Sequence, residues 1–200
     1  MLHIVDDEEV LRDALCWLAR SRNIASTSYD SAEAFLARLD SPFINAKEGD
    51  CLLLDVRMGA LSGTGLFAML HERQLTQRLP VIFLTGHGDV PMAVDTLKRG
   101  AFDFFEKPFN DNALMDRVQE AMQASLKASA QAEIQDRMKQ LSQREREVME
   151  YILQGKMNKQ IADELGISMR TVEVHRAHIF DKMQIKSAVE LAGILANNSQ

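Results

Sequence analysis

A doubly wound α/β domain followed by an all-α domain is the fold class that the 200-residue sequence predicts, and three observations predict it. Short, continuously apolar runs such as Cys51-Leu52-Leu53-Leu54 and Val81-Ile82-Phe83-Leu84 alternate with stretches of helical periodicity. Runs of this kind, bounded by turn signals, suit strands buried on both faces of a parallel sheet. Polar residues recur where those runs stop: Asp6 and Asp7, Asp55, Thr85 and Lys107. Beyond Gln140 only helical patterns remain, interrupted by a Gly166-Ile167-Ser168 turn.

The first strand, Leu2-His3-Ile4-Val5, ends at Asp6-Asp7-Glu8-Glu9, an acidic run that favours the N-terminus of a following helix. That helix carries Val10, Leu11, Ala14, Leu15 and Leu18 on one face. Residues 25–29 read as the second strand, and Ser31 as the cap of a helix bearing Ala32, Ala34, Phe35 and Leu39. A polar loop from Asp40 to Asp50 leads to the strand that ends at Asp55. Ser62-Gly63-Thr64-Gly65 opens the next helix, and its glycine spacing matches neither a dinucleotide fingerprint nor a Walker loop. The fourth strand, Val81 to Thr85, precedes Gly86-His87-Gly88 and a helix from Asp89 to Arg99 that Gly100 stops. The fifth, Phe102-Asp103-Phe104-Phe105, ends at Glu106-Lys107-Pro108, with a last helix starting near Asp111. Five alternations argue a five-stranded parallel sheet, for which the flavodoxin-like order 2-1-3-4-5 is a known solution.

Residues 121–140 are rich in Ala, Gln, Lys and Glu and lack Pro and Gly, which predicts a helical linker. The expected organisation is residues 1–122 as one domain, 123–138 as linker and 139–200 as a four-helix domain. Ser142-Gln143-Arg144-Glu145 matches a capping box, Asn158 is the expected cap of a short helix, and Ser168 caps a longer one reaching Met183. Helix, glycine turn and helix make a helix-turn-helix unit. A final helix runs from about Ser187 to Ala196. The net charge of −6 divides unevenly: residues 139–200 hold 9 Lys/Arg and 8 Asp/Glu, against 14 and 21 before them, which supports two domains with different work. No apolar run is long enough to span a membrane, the acidic Asp6 and Asp7 come too early for a signal peptide, and Cys16 and Cys51 read as buried thiols. A cytoplasmic protein without membrane partners is expected.

The strand ends carry the chemistry. Three carboxylates at one sheet edge repel one another unless a hard cation sits among them, and oxygen ligands with room for water suit Mg²⁺. A lysine there can neutralise a phosphoryl group, a threonine hydroxyl can hydrogen-bond one of its oxygens, and an aspartate can serve as the phosphoryl nucleophile.

The acidic pair, Leu53-Leu54-Asp55-Val56-Arg57-Met58, the run from Thr85 to Asp89 and Lys107-Pro108-Phe109 resemble the receiver domain of two-component response regulators. Residues 85–109 resemble the FixJ-type subfamily in particular. Leu141-Ser142 with Arg144-Glu145-Arg146-Glu147-Val148, Asn158-Lys159 with Ile161-Ala162, and residues 170–176 resemble the LuxR-type DNA-binding domain. The resemblance, to the FixJ/NarL type overall, implies a transcription regulator rather than an enzyme. Asp55 would accept a phosphoryl group from a sensor histidine kinase. Asp7, Asp55 and the Arg57 carbonyl would hold Mg²⁺, with Asp6 acting directly or through water. Lys107 would bind the phosphoryl group, and Thr85 and Phe104 would form the switch pair. Phosphorylation would drive homodimerisation through the fourth helix and fifth strand, where Val90, Met92 and Ala93 are candidates. The dimer would bind promoter DNA and, with RNA polymerase, activate transcription. One departure stands out: Gly59 occupies the place where the family usually has proline.

At 100° per residue Val172, Ile179 and Met183 share a narrow buried arc, while Arg170, Glu173, Val174, Ala177, His178 and Asp181 face away. Small apolar groups on a polar face suit thymine methyls and a close approach to the major groove. The resemblance places base contacts at Glu173, Val174 and Ala177, leaving Lys159, Arg170, Thr171, His175, Arg176 and Lys182 as candidates for phosphates. Lys182 also suits a helix C-terminus on charge alone. His175 and His178 have the spacing of a metal pair but no third ligand in sequence. An Asp-nucleophile phosphohydrolase is the competing class; it usually needs a second aspartate two residues after the nucleophile, where this chain has Arg57. A regulator that binds DNA without phosphorylation is a third reading.

Overall fold

The computed structural model describes residues 1–39, 48–86 and 90–196, with the side chains of residues 90, 91 and 93 outside the description. The first unit contains β1 (Leu2–Val5), α1 (Glu9–Ser21), β2 (Ser26–Tyr29), α2 (Ala32–Leu39), β3 (Cys51–Asp55), α3 (Gly63–Glu72), β4 (Val81–Thr85), α4 (Val90–Lys98) and β5 (Asp103–Glu106). The strands form one parallel sheet in the order β2-β1-β3-β4-β5. Alternate strand residues supply two cores. Leu52, Leu54, Val81 and Phe83 pack with Phe35, Leu66, Phe67 and Leu70 of α2 and α3. Cys51, Leu53, Ile82 and Leu84 pack with Leu15 and Ala19 of α1 and with Leu114, Met115 and Val118. Helices cover both faces, so β3 is buried throughout, which is why its sequence does not alternate. Burying each such leucine is worth roughly 1.5–3 kcal/mol.

Helix α5 (Asp111–Lys139) is continuous for 29 residues, and the chain divides into compact units at Met1–Ser129 and Ala130–Gln200. The division falls inside the stretch expected as linker. Ser125, fully buried, explains why: its Oγ accepts from the Asp50 N–H at 2.9 Å and donates to the Arg78 carbonyl. Gly49, at φ +71°, runs so close to α5 that a Cβ there would lie 2.1 Å from the Met122 carbonyl oxygen.

The second unit contains α6 (Gln143–Leu153), α7 (Asn158–Leu165), α8 (Met169–Met183) and α9 (Ala188–Ala196) around Val148, Ile152, Ile161, Val172, Ile179, Met183 and Leu191. The capping box forms: Ser142 Oγ accepts from the Glu145 N–H at 3.3 Å, and Glu145 Oε2 accepts from the Ser142 N–H at 2.8 Å. Gly166 ends α7 at φ +63°, a left-handed conformation that costs glycine least, and the Ser168 hydroxyl caps α8 through the Thr171 N–H.

Three local expectations need correction. On α1, Val10 is 85 % exposed and Ala14 is also exposed; the buried stripe is Leu15 and Ala19, flanked by Leu11 and Leu18. The residue types allowed both stripes, and packing against β1 and α5 chose the second. Strand β2, at the sheet edge, is only half-buried and omits Ala25. Met157, not Asn158, is the N-cap of α7, because Gln160 Oε1 accepts from the Met157 N–H at 2.8 Å.

Candidate functional site

Strand register assembles the site. Val5 pairs with Leu54, so Asp6, one residue on, stands beside Asp55 at the carboxyl edge of the sheet. Thr85 pairs with Glu106, and the Lys107 N–H donates to the Thr85 carbonyl at 2.7 Å, which turns the lysine back over the edge. Its ammonium donates to Asp55 Oδ1 at 2.6 Å and to Asp6 Oδ2 at 2.9 Å, with Glu8 Oε1 3.8 Å away. The second Asp55 oxygen accepts from the Arg57 N–H at 2.7 Å. Asp6 is wholly buried and Asp55 nearly so. Burial pushes the Asp55 carboxyl above its ordinary range, opposed by Lys107. Burial acts against the Lys107 charge as well, but the bonds to Asp55 and Asp6 outweigh it and hold its pKa above the usual value.

Thr85 is buried at the end of β4, its hydroxyl donating to the Gly86 carbonyl at 3.1 Å. Phe104 is half-buried, paired in register with Phe83 and packed on the α2–α3 side of the core. The Asp7 and Arg57 side chains are exposed. The edge therefore unites Asp6, Asp55 and Lys107, with Thr85 next in line, while Asp7 stays at the solvent boundary. Of the candidates on α4, Met92 packs on the core, and the side chains of Val90 and Ala93 lie outside the described residues.

Sequence reasoning missed supporting residues. The Glu8 N–H donates to Asp6 Oδ1 at 2.8 Å, and the Arg12 guanidinium to the Asp6 carbonyl at 2.7 Å. Gly63 meets the acceptor strand so closely that a Cβ would lie 2.0 Å from the Asp55 carbonyl oxygen. The glycine was visible in sequence; its reason was a contact with β3 that only the fold creates.

Among the described residues no three His, Cys, Asp or Glu side chains are grouped to hold a metal ion. The chemistry of the edge still fits a hard cation. Its available donors are carboxylate and carbonyl oxygens, and one positive group already bridges two of the carboxylates within 3 Å.

On α8, Glu173 and Ala177 are exposed, Val174 is 46 % exposed, and Arg170, like Lys159 on α7, reaches solvent. Thr171, His175 and Arg176 are half-buried. The Arg176 guanidinium lies 5.6 Å from the centre of the Phe180 ring, so its stem packs along the helix. His175 Nδ1 is buried without a hydrogen-bond partner. Lys182 is engaged within the protein: its ammonium donates to Glu145 Oε2 at 2.7 Å. Despite burial, the Lys182 ammonium and the Ser142 amide pull the Glu145 carboxyl down to about 2.

A parallel five-stranded sheet with this acidic edge and a helix-turn-helix unit in the same chain define a transcriptional response regulator. The comparisons agree for both units. Residues 2–119 match the response regulator receiver domain and residues 139–195 the luxR family of bacterial regulatory proteins. The chain is 48 % identical over 195 residues to the C4-dicarboxylate transport transcriptional regulatory protein DctR of Rhodobacter capsulatus, covering 96 % of each. It is 41 % identical over 194 residues to the transcriptional regulatory protein FixJ of Rhizobium meliloti, covering 95 % of this chain and 92 % of that one. Among solved structures, full-length FixJ from B. japonicum aligns at a TM-score of 0.58 with 40 % identity over 99 % of this chain and 96 % of that one. The response regulator StyR aligns at 0.70 with 34 % identity over 98 % and 97 %. The chain belongs to the FixJ-type response regulators, a receiver domain joined to a LuxR-type DNA-binding domain.

Proposed function

We propose that this response regulator is switched by phosphorylation of Asp55, taking the phosphoryl group from a sensor histidine kinase, then dimerising and binding promoter DNA to activate transcription with RNA polymerase. The observation that carries the reading is the Asp55–Lys107–Asp6 cluster at the carboxyl edge of the sheet. An Asp55 oxygen would attack phosphorus as the P–N bond to the kinase's phosphohistidine breaks and its imidazole leaves, and the Lys107 ammonium would leave the carboxylate to neutralise the arriving phosphoryl oxygens. Thr85 would hydrogen-bond one of those oxygens, and its movement would be felt by Phe104 on the neighbouring strand.

Receiver domains generally bind Mg²⁺ at this site. Here Asp7, Asp55 and the Arg57 carbonyl would hold it, with Asp6 assisting directly or through water, and it would supply charge to the transferring group. Asp55 would be phosphorylated in each cycle and restored by hydrolysis, and with transcriptional regulators as relatives we read the chain as a switch and not as an enzyme turning over substrate. No described helix is long and apolar enough to cross a membrane.

The test is direct. Incubation with acetyl phosphate and Mg²⁺ should add one phosphoryl mass to the wild type and none to Asp55→Asn. An undiminished adduct on the variant overturns the assignment.

A further inference from the structure

Glu145 is 3 % exposed, yet it stays ionised inside the second unit. A buried carboxylate is costly unless its hydrogen bonds are complete. Oε2 accepts from the Ser142 N–H at 2.8 Å and from Lys182 Nζ at 2.7 Å, and Oε1 stands 3.6 Å from His178 Nδ1. Lys182 and His178 are four residues apart, so they lie one above the other on α8; Lys182 hydrogen-bonds the carboxylate and His178 stands beside it. At 100° per residue their side of the helix is about 110° from the centre of the Glu173, Val174 and Ala177 face. Turning α8 by one residue would carry both side chains away from Glu145. The neighbouring Arg144 performs the matching task for α7: its guanidinium donates to the carbonyl of Leu165, the last residue of that helix, at 2.6 Å, and is paired with Glu147 at 2.5 Å.

We propose that Glu145 is a positioning residue for DNA recognition: through Lys182 it fixes the rotation of α8, and with it the angle at which Glu173, Val174 and Ala177 meet the bases. Arg144 holds α7 in the same frame, so the first turn of α6 aligns both helices of the helix-turn-helix. Lys182, on this account, acts on the protein and not on a phosphate. The inference rests on the proposed reading that α8 enters the major groove.

The test uses the full chain with acetyl phosphate and Mg²⁺, in wild type, Glu145→Gln, Lys182→Met and the double variant. Gln at 145 keeps an acceptor for the Ser142 amide, and Met at 182 keeps an apolar stem, so two independent variants probe one contact. Affinity is measured for the duplex that the wild type selects from a randomised library and for a scrambled duplex, each across a salt series, beside thermal unfolding. Each single variant should lower the selected-to-scrambled affinity ratio by about tenfold, and the double should be no worse than either, as expected for partners in contact. The salt slope should be unchanged. A Lys182→Met chain that weakens both duplexes equally and lowers the slope by about 0.9 makes Lys182 a phosphate contact and overturns the inference. So does a Glu145→Gln chain that melts earlier but keeps the wild-type ratio, since that is a purely structural role. A wild type that selects no sequence removes the reading of α8 itself, a failure distinct from either.

Discussion

The Lys107 ammonium and the Asp55 carboxylate, 52 residues apart in sequence, meet at 2.6 Å across the carboxyl edge of the sheet. Asp6 shares the same ammonium, so two buried carboxylates face one half-buried lysine, with more carboxylates than ammonium groups at the contact. That imbalance leaves room for a second cation and makes the charge on Asp55 a cost to the resting fold.

The cost predicts a stability change with a definite sign. The Asp55 carboxyl titrates above its unfolded value, so the folded state holds its proton more tightly. Its contribution is most favourable below the unfolded pKa of about 3.8 and is lost as pH rises through the folded value. Asp55→Asn should therefore melt a few degrees above wild type at pH 7, and the advantage should vanish below about pH 4. Lys107→Met should do the opposite, leaving two buried carboxylates unpaired at a cost of about 3–5 kcal/mol at pH 7. Thermal unfolding of the three proteins across pH decides it.

Much of this edge was legible because strand-end chemistry in a parallel sheet depends on order alone. Four strands that end at or just before Asp6, Asp55, Thr85 or Lys107 must bring those residues to one side once they are parallel. What sequence did not reveal depends on contacts between elements. Val10 and Leu11 are both apolar, and only the docking of α1 decides which packs against the core. Lys182 looked free for a phosphate because its partner, Glu145, lies 37 residues earlier and reaches it only after α6 packs on α8.

Gly63 and Gly59 should respond in opposite ways to alanine. At Gly63 the new Cβ would sit 2.0 Å from the Asp55 carbonyl, so Gly63→Ala must displace the acceptor strand end. The expected result is a loss of about 1–3 kcal/mol and slower phosphoryl uptake from acetyl phosphate. At Gly59 a Cβ meets nothing within 4 Å, so Gly59→Ala should stabilise by about 0.5 kcal/mol through the unfolded chain. Unfolding midpoints and adduct formation rates, measured side by side, test the pair.

The Ser125 contacts predict where the first unit can be cut. A fragment ending at residue 122 loses the Ser125 hydroxyl that satisfies the Asp50 amide and the Arg78 carbonyl, whereas one ending at 129 keeps both bonds. A hydrogen bond is worth about 0.5–1.5 kcal/mol net, so losing both should make the 1–122 fragment unfold at lower urea than 1–129. Equal midpoints would mean that α5 beyond Met122 contributes nothing to the first unit.

Dimerisation on phosphorylation should be visible by sedimentation with the phosphoryl mimic beryllofluoride. A differential affinity of a few kcal/mol between the two receiver states is enough to shift the population from mostly monomer to mostly dimer. Wild type should sediment as a heavier species with the mimic and Asp55→Asn should not. A monomer under every condition rules the mechanism out.

The division of labour on α8 gives the last prediction. Exposed Glu173, Val174 and Ala177 line one face, with Arg170 beside them and Lys159 on α7. If that face meets bases, Glu173 can accept from a cytosine amino group and Val174 can touch a thymine methyl, so Glu173→Ala and Val174→Ala should change the preferred sequence. Each lost contact should cost about 1–3 kcal/mol of discrimination at one position for Glu173, and less for the smaller Val174 truncation. Arg170→Ala and Lys159→Ala, as lost phosphate contacts, should instead weaken all duplexes alike and lower the salt slope by about 0.9 each. A dimer should require two half-sites about 10 bp apart. Residues 139–200 carry 9 Lys/Arg against 8 Asp/Glu, little net positive charge, so an isolated monomer should bind weakly at physiological salt. Selection from a randomised duplex library at two salt concentrations separates the two groups. Glu173 and Val174 variants that keep the wild-type preference, beside an Arg170 variant that changes it, would reverse the assignment.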